Sequence, residues 1–268
     1  MDRLDPLLPP EAGPPHWSGT ESAKVVATLP FRDVAAGVTA LSQTGGLMVV
    51  DGPPGVGKTF AVNLAVRPSA RDVFWLTMPH QPRGKETSAR VHQQLTGRRA
   101  PIRRVTEYEL LEENLELLRQ RGATLVIDEG QHLNRASFSQ LGYLLDLSQD
   151  LLLLVVGAGV LRAMNSMCEE LVNRADRQIP FGALTAKATR DAMRQYHPVF
   201  ARSAPEAMGA LYRAAGGVFR NWARLLKAAI ALGLDDVSGP DEAAMLIRAV
   251  YGSTGHRHSG NSTKRAAA

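Results

Sequence analysis

The sequence predicts an α/β protein, a parallel five-stranded sheet flanked by helices, with a small all-helical C-terminal domain behind it. Three observations predict this. Leu47–Asp51, Val73–Met78, Thr124–Asp128, Leu151–Val156 and the short Gln178–Phe181 read as strands, apolar along their length rather than alternating. Strands covered on both faces read that way. Helical patterns separate these runs, as crossovers between parallel strands require. After about residue 185 the strands stop and only helical patterns follow.

Taken in order, residues 1–20 are rich in proline and polar residues and are expected to lack a packed fold. A helical stretch covers about Ser22–Leu41, where Pro30 is expected to interrupt or kink it. Leu47–Asp51 is the first strand, Lys58–Val66 the helix after it, and Pro68 its end. Val73–Met78 follows, then a helix near Lys85–Leu95 closed by Gly97. Thr106 and Glu109 have the spacing of a capping box. The helix they open carries Tyr108, Leu111, Leu115 and Leu118 as its apolar stripe and ends at Gly122. After Thr124–Asp128 comes an amphipathic helix, Ser137–Leu147, with Phe138, Leu141 and Leu145 on one face. Leu151–Val156 leads into a helix running to about Val172, and Gln178–Phe181 is the fifth strand. Thr189–Tyr196, Pro205–Ala215, Phe219–Leu232 and Asp241–Tyr251 are the helices of the C-terminal domain. The expected organisation is a flexible segment over 1–20, the α/β domain over 21–184, the helical domain over 185–251 and a disordered Gly/Ser-rich tail over 252–268.

Composition narrows the class. With 268 residues, 44% hydrophobic and 21% charged, the chain has material for a sizeable core. One cysteine, Cys168, excludes an intramolecular disulfide and a cysteine-rich zinc site, and a reducing cytoplasmic setting is the simplest expectation. The N-terminus has no apolar run suited to a secretion signal, and the longest apolar run, Leu151–Leu161, is too short to span a bilayer. Net charge is +5 and the pI about 9.6, which suits a nucleic-acid partner. The excess is concentrated: Arg83, Lys85, Arg90, Arg98, Arg99, Arg103 and Arg104 face a single acid, Glu86. His256 and His258 have too few partners for a metal site. Cys168 reads as a small buried apolar residue, His132 as a capping or packing residue, and Phe74 and Trp75 as core.

Two motifs carry chemistry. Gly52-Pro53-Pro54-Gly55-Val56-Gly57-Lys58-Thr59 lies between a strand and a helix, the setting a phosphate-binding loop needs. Its glycines let the backbone wrap a polyphosphate, whose charge meets loop N–H groups and the helix N-terminus. Lys58 supplies a point charge to the β/γ-phosphates, and Thr59 offers a hydroxyl to Mg²⁺. Then Asp128 and Glu129 end an apolar strand at the sheet edge where ligands of open α/β sheets bind. Asp128 is expected to hold the metal beside Thr59, and Glu129 to take a proton from the water attacking the γ-phosphate. Arg174, Arg177 and Arg220 are candidates for the positive charge that hydrolysis needs at the phosphates.

GPPGVGKT, LVIDEGQHL, the Asn-Arg before the fifth strand, and Gly216-Gly217-Val-Phe-Arg220 opening a helix together resemble the AAA+ ATPases. More narrowly, VIDEGQHL is similar to the form found in transposition regulators of the TniB/TnsC/MuB group and in the related ExeA-type ATPases. The resemblance covers about residues 22–250 and implies ATP and Mg²⁺ as cofactors. It implies that Asp128 and Glu129 are the Walker B pair, Arg174 the trans arginine finger, and Arg220 sensor 2. It implies a channel that grips DNA phosphates between the second strand and Walker B, where Lys85, Arg90, Arg98 and Arg99 are the candidates. Gly157-Ala158-Gly159 depart from the pattern, standing where many AAA+ proteins carry a polar sensor 1 residue. Slow hydrolysis is expected, suited to a switch. The expected function is an ATP-dependent, sequence-independent DNA-binding regulator. It self-assembles as a ring or filament on duplex DNA, recruits or activates a transposase, and disassembles on hydrolysis, with no membrane partner. The alternative is a helicase loader or replication-initiation ATPase of a plasmid or phage. Such proteins often add a winged-helix domain, for which few residues follow the predicted helical domain.

Overall fold

A computed structural model describes residues 22–252 apart from 70, 81, 83 and 101. The expectations for 1–20, for the tail beyond 252, for Arg83 and for His256 and His258 lie outside the described residues. The described residues fall into two compact units, Ala27–Ala183 and a second made of 22–26 with 184–252.

The first unit holds one parallel sheet. Its strands are β1 (Gly46–Asp51), β2 (Asp72–Thr77), β3 (Ala123–Asp128), β4 (Leu152–Gly157) and β5 (Arg177–Pro180), in the order β2-β3-β4-β1-β5. Every residue of β3 and β4 is buried. Side chains alternate between the two faces of a strand, so β1, β2, β3 and β4 each feed two cores, while β5 gives Ile179 to one of them. Met48, Val50, Leu154 and Val156 pack with Val34 and Val38 of α1 (Leu29–Leu41) and with Ala61 and Val62 of α2 (Lys58–Val66). Leu47, Val49, Leu125, Ile127, Leu153 and Val155 pack on the other face. Their partners are α3 (Gly84–Thr96), α4 (Glu107–Arg119), α5 (Arg135–Leu147) and α6 (Val160–Met167). Burying each Val, Leu or Ile side chain contributes about 1.5–3 kcal/mol. The register sets Asp51 opposite Gly157 and Thr77 opposite Asp128. The C-terminal ends of four strands are thereby level, and their loops share one edge.

Several local expectations change. Pro30 does not break a helix over 22–41. It stands in the first turn of α1, behind the N-cap Thr28, where no backbone N–H is missed. The capping box forms in full, with Glu109 N–H donating to Thr106 Oγ1 at 3.1 Å and Thr106 N–H to Glu109 Oε2 at 2.6 Å. The buried stripe of α4 is nevertheless Leu110, Asn114, Leu115 and Leu118, and Tyr108 is 66% exposed. Tyr108, in the helix's first turn, falls outside that buried face. On α5 it is Leu144, not Leu145, that joins Phe138 and Leu141 in burial. The helix expected through Val172 is two, α6 and α7 (Glu169–Asn173), because Cys168 takes a non-helical backbone at φ −157° and ψ 67°. Cys168 is half-buried at that break rather than fully buried. Trp75 is buried and Phe74 partly so, with the Arg121 guanidinium 5.7 Å above the Phe74 ring.

The second unit is all-helical: α8 (Ala186–Tyr196), α9 (Pro198–Arg202), α10 (Pro205–Ala215), α11 (Phe219–Ala231) and α12 (Pro240–Tyr251). Met193, Phe200, Leu211, Trp222, Leu225 and Leu246 form its core, and Trp222 donates from Nε1 to Gly216 O at 2.7 Å. The short helix α9 has no periodicity of its own to predict it. Residues 22–26 join this unit, Lys24 N–H donating to Tyr196 O at 2.8 Å. Among the described residues, no helix is long and apolar enough to cross a membrane.

Candidate nucleotide-binding site

The loop between β1 and α2 is shaped by its glycines. Gly55 and Gly57 sit at φ +81° and +108°, a region side chains resist. Gly52 is needed for proximity: a Cβ there would lie 2.0 Å from Phe181 O. Val56 turns inward and is 2% exposed, while Pro53 and Pro54 face outward. Lys58 is 7% exposed and donates from Nζ to Gly52 O at 2.8 Å and Pro53 O at 2.9 Å. An ammonium so far from water requires acceptors, and the loop's own carbonyls provide them. Asp51 Oδ1 accepts from Val160 N–H at 2.8 Å, a carboxylate on the N-terminus of α6 that ties the end of β1 to that helix.

Thr59 and Asp128, far apart in sequence, meet here. Thr59 Oγ1 donates to Asp128 Oδ1 at 3.2 Å, and Glu129 N–H donates to the same oxygen at 3.0 Å. Burial pushes the Asp128 carboxyl up to about 6, helped by the Glu129 charge and opposed by the two donors and the Lys58 charge. A carboxyl that resists ionising, with a hydroxyl beside it, fits a hard divalent cation, which would restore its charge. Mg²⁺ typically takes few protein ligands and completes its shell with phosphate and water. Thr59 and Asp128 are such a pair.

That shift fixes a pH dependence. Asp128 titrates near 6 folded and near 3.8 unfolded, so its ionisation opposes folding. The cost is full above pH 6, falls as pH drops toward 3.8, and vanishes below it. It amounts to ~3 kcal/mol at pH 7. Asp128→Asn is therefore expected to stabilise the nucleotide-free protein by ~1–3 kcal/mol at pH 7, with an advantage about 1 kcal/mol smaller at pH 5. Urea unfolding at the two pH values measures it, and an Asn variant less stable than the parent at pH 7 contradicts it.

Glu129 has φ +56° and ψ 37° and is the non-glycine residue with positive φ among the described residues. That conformation costs roughly 1–2 kcal/mol and persists where surroundings impose it, often at functional positions. Its exposed carboxylate accepts from Gln131 Nε2 at 2.6 Å and lies 4.0 Å from His132 Nε2. The His132 ring also lies tilted against that of His80, ring centres 5.0 Å apart. Gln131 carries no role in the sequence reading, although it stands inside the VIDEGQHL motif.

The predicted arginines are all exposed. Arg174, at the end of α7, is exposed and ion-paired with Asp146 of α5. Arg177 is exposed on β5. Arg220, in the second unit, is exposed in the first turn of α11. The basic stretch is not one point. Lys85 is half-buried in the first turn of α3, and Arg90 pairs with Glu86 at 3.3 Å. Arg98 and Arg99 follow the helix's far end.

Their arrangement comes from α3 and α4 running side by side in the same direction. A Cβ on Gly84 would lie 2.9 Å from Glu107 Oε1 at the starts of the two helices. Asn114 Nδ2 donates to Ser88 O at 2.8 Å midway, and Arg121 Nη1 to Leu95 O at 3.3 Å at the far ends. The described residues of 97–106 therefore run back along the pair, ~20 Å for a helix of this length. Arg98, Arg99, Arg103 and Arg104 are exposed along this return, and among the described residues none of the four has an ion-pair partner.

A parallel sheet with a phosphate loop at its first strand and an acid pair at the level edge defines a P-loop nucleoside triphosphatase. Residues 41–164 match the family model described as an AAA domain, the fold is the AAA+ α/β fold with a C-terminal helical region, and an AAA domain implies P-loop ATPase activity. The Aeropyrum pernix ORC1 protein in complex with DNA is similar at TM-score 0.64 and 16% identity, over 86% of this chain and 68% of that one. The Aeropyrum pernix ORC2 protein, in ADPNP–ADP complexes, is similar at 0.62 and 15%, over 84% and 68%. Drosophila ORC bound to DNA is similar at 0.59 and 18%, over 92% and 69%. The chain thus spans about two thirds of each of these proteins' chains. No curated protein matches the sequence.

Proposed function

We propose that the chain is an ATP-gated DNA-binding switch, which self-associates on duplex DNA when ATP is bound and comes apart on hydrolysis. The observation that carries the ATP half is the Thr59–Asp128 hydrogen bond beside the Lys58 cradle. Lys58 and the loop N–H groups hold the phosphates, Thr59 and Asp128 hold Mg²⁺, and Glu129 takes the proton of the attacking water. When bound there, Mg²⁺ would supply charge neutralisation to the phosphates. Arg174 is the finger offered to a neighbouring subunit. Its exposed pair with Asp146 is worth only ~0–1 kcal/mol, so it is released at little cost. Arg220, in the first turn of α11, is the sensor 2 candidate.

The DNA half is supported by the unpaired arginines of the 97–106 return, with Lys85 and Arg90 as further contacts. Phosphate contacts of this kind are nearly sequence-independent and fall steeply with salt. The partner that the assembly recruits or activates is a transposase, a reading supported by the VIDEGQHL form. A helicase loader or replication-initiation ATPase of a plasmid or phage is the second reading; ORC proteins solved with DNA are similar in fold. Stimulation of one partner enzyme and not the other by the ATP-loaded protein separates the two.

The test is duplex-DNA co-sedimentation across a salt series, with and without ATP. Binding is expected to require ATP. Replacing Arg98, Arg99, Arg103 and Arg104 by Ala should lower the slope of log K against log [salt] by about 1 for each DNA phosphate no longer neutralised. An unchanged slope removes these residues from the interface, and equal binding without nucleotide removes the switch.

A further inference from the structure

The turn after β4 reads Gly157-Ala158-Gly159 and brings no polar side chain to the loop edge. A water attacking the γ-phosphate needs polar groups around it and a base held still. We propose that Gln131 meets both needs: it is a positioning residue that takes the place of the missing side chain at the end of β4 and holds the Glu129 carboxylate for proton transfer. This rests on the reading of Glu129 as the base.

Three contacts argue for it. Gln131 Oε1 accepts from Ala158 N–H at 3.0 Å. Only the oxygen of an amide accepts, so this bond fixes the amide's orientation and makes Nε2 the atom that donates to Glu129 Oε2 at 2.6 Å. The amide also fills the volume a residue-157 side chain would take, since a Cβ on Gly157 would lie 2.1 Å from Gln131 Oε1. Finally, Gly157 pairs with Asp51, and its carbonyl accepts from Gly52 N–H at 3.3 Å. The amide thus stands at the root of the phosphate loop, joined to the base on one side and to the β4 turn on the other.

The consequence is preorganisation. The Glu129 side chain is about half exposed and would sample several rotamers without its hydrogen bond to the fixed amide, which restrains it. Losing that restraint misplaces the base without touching Lys58, Thr59 or the loop N–H groups. The kcat should fall while ATP affinity stays.

The experiment uses the full chain with saturating duplex DNA and compares the parent with Gln131→Ala, Gly157→Ser, the double variant and Glu129→Gln, measuring kcat, ATP Kd and Tm. Gln131→Ala is expected to lower kcat by about tenfold or more with ATP Kd and Tm little changed. Gly157→Ser alone should also be slow, because its side chain meets the Gln131 oxygen. In the double variant that conflict is gone. The nearest remaining atoms, Val160 Cβ at 3.1 Å and Gln131 N at 3.2 Å, need yield only slightly, and the serine hydroxyl restores a polar group at the turn. The double variant is expected to hydrolyse several-fold faster than Gln131→Ala, a rescue that a purely structural role for Gln131 does not produce. A Gln131→Ala kcat within about twofold of the parent, or a double variant no faster than Gln131→Ala, overturns the role. Parental hydrolysis by Glu129→Gln instead overturns the base assignment, whatever Gln131 does.

Discussion

Lys58→Ala is expected to abolish ATP binding at physiological concentrations while leaving the fold intact. The ammonium is buried and held by the carbonyls of Gly52 and Pro53, so it is already directed into the loop that receives the phosphates. On binding, it exchanges these neutral acceptors for anionic ones, and charge-assisted bonds are roughly twice as strong. Removing one partner of such a pair costs about 2–5 kcal/mol, roughly 30- to 5,000-fold in Kd. The carbonyls left behind border an exposed proline, where water replaces the ammonium, so Tm should move little. Isothermal titration with ATP and Mg²⁺ measures the loss. Binding within a few-fold of the parent would remove Lys58 from the phosphate site and the nucleotide reading with it.

Glu129→Gln should separate binding from turnover. The substitution keeps the side chain's shape, and its amide oxygen still accepts from Gln131 Nε2. What it removes is the ability to take a proton. A lost general base costs ~10²–10⁴-fold in rate, so kcat should fall by that order with ATP Kd unchanged. If hydrolysis drives disassembly, the same protein should stay on DNA in ATP as a persistent oligomer, which sedimentation or electron microscopy detects. Hydrolysis at the parental rate would refute the base assignment. Slow hydrolysis with normal release from DNA would instead uncouple turnover from disassembly.

Asp128→Asn bears on a different property. Lys58 and Glu129 are proposed to act on nucleotide, whereas the raised Asp128 carboxyl lowers the stability of the nucleotide-free protein. A position that is unfavourable alone and suited to a cation is what a metal-binding residue at a buried edge entails. The left-handed backbone at Glu129 is a second local cost at the same edge. Both costs fall on residues proposed to handle Mg²⁺ and water rather than on the core strands.

Much of this was legible in short stretches of sequence. The phosphate loop, the Thr106–Glu109 capping box, the glycine stop at Gly97 and the apolar strands each declare themselves within a few residues, because each depends on backbone sterics or on side chains one helical turn apart. Errors arose where a local signal admitted two geometries. Pro30 fits a kink or a first turn equally well, and it took the first turn because Thr28 caps the helix there. Tyr108 fits the spacing of an apolar stripe, yet the face that packs runs through Leu110, Asn114, Leu115 and Leu118 and leaves it in solvent. Cys168 sits in a run of helical residues with nothing to announce the break.

Composition and spacing alone were enough to specify a parallel sheet, a phosphate cradle at its first strand and acids at the end of its third, since burial on two faces and glycine conformations leave a signature in neighbouring residues. They could not specify which distant groups would meet. Thr59 with Asp128, Gln131 with the turn after β4, Asp51 with the start of α6, and the arginines of 97–106 laid along two parallel helices all follow from the strand order and the direction of each crossover. Those are set by how the chain as a whole buries its apolar surface, and no window of sequence contains that sum.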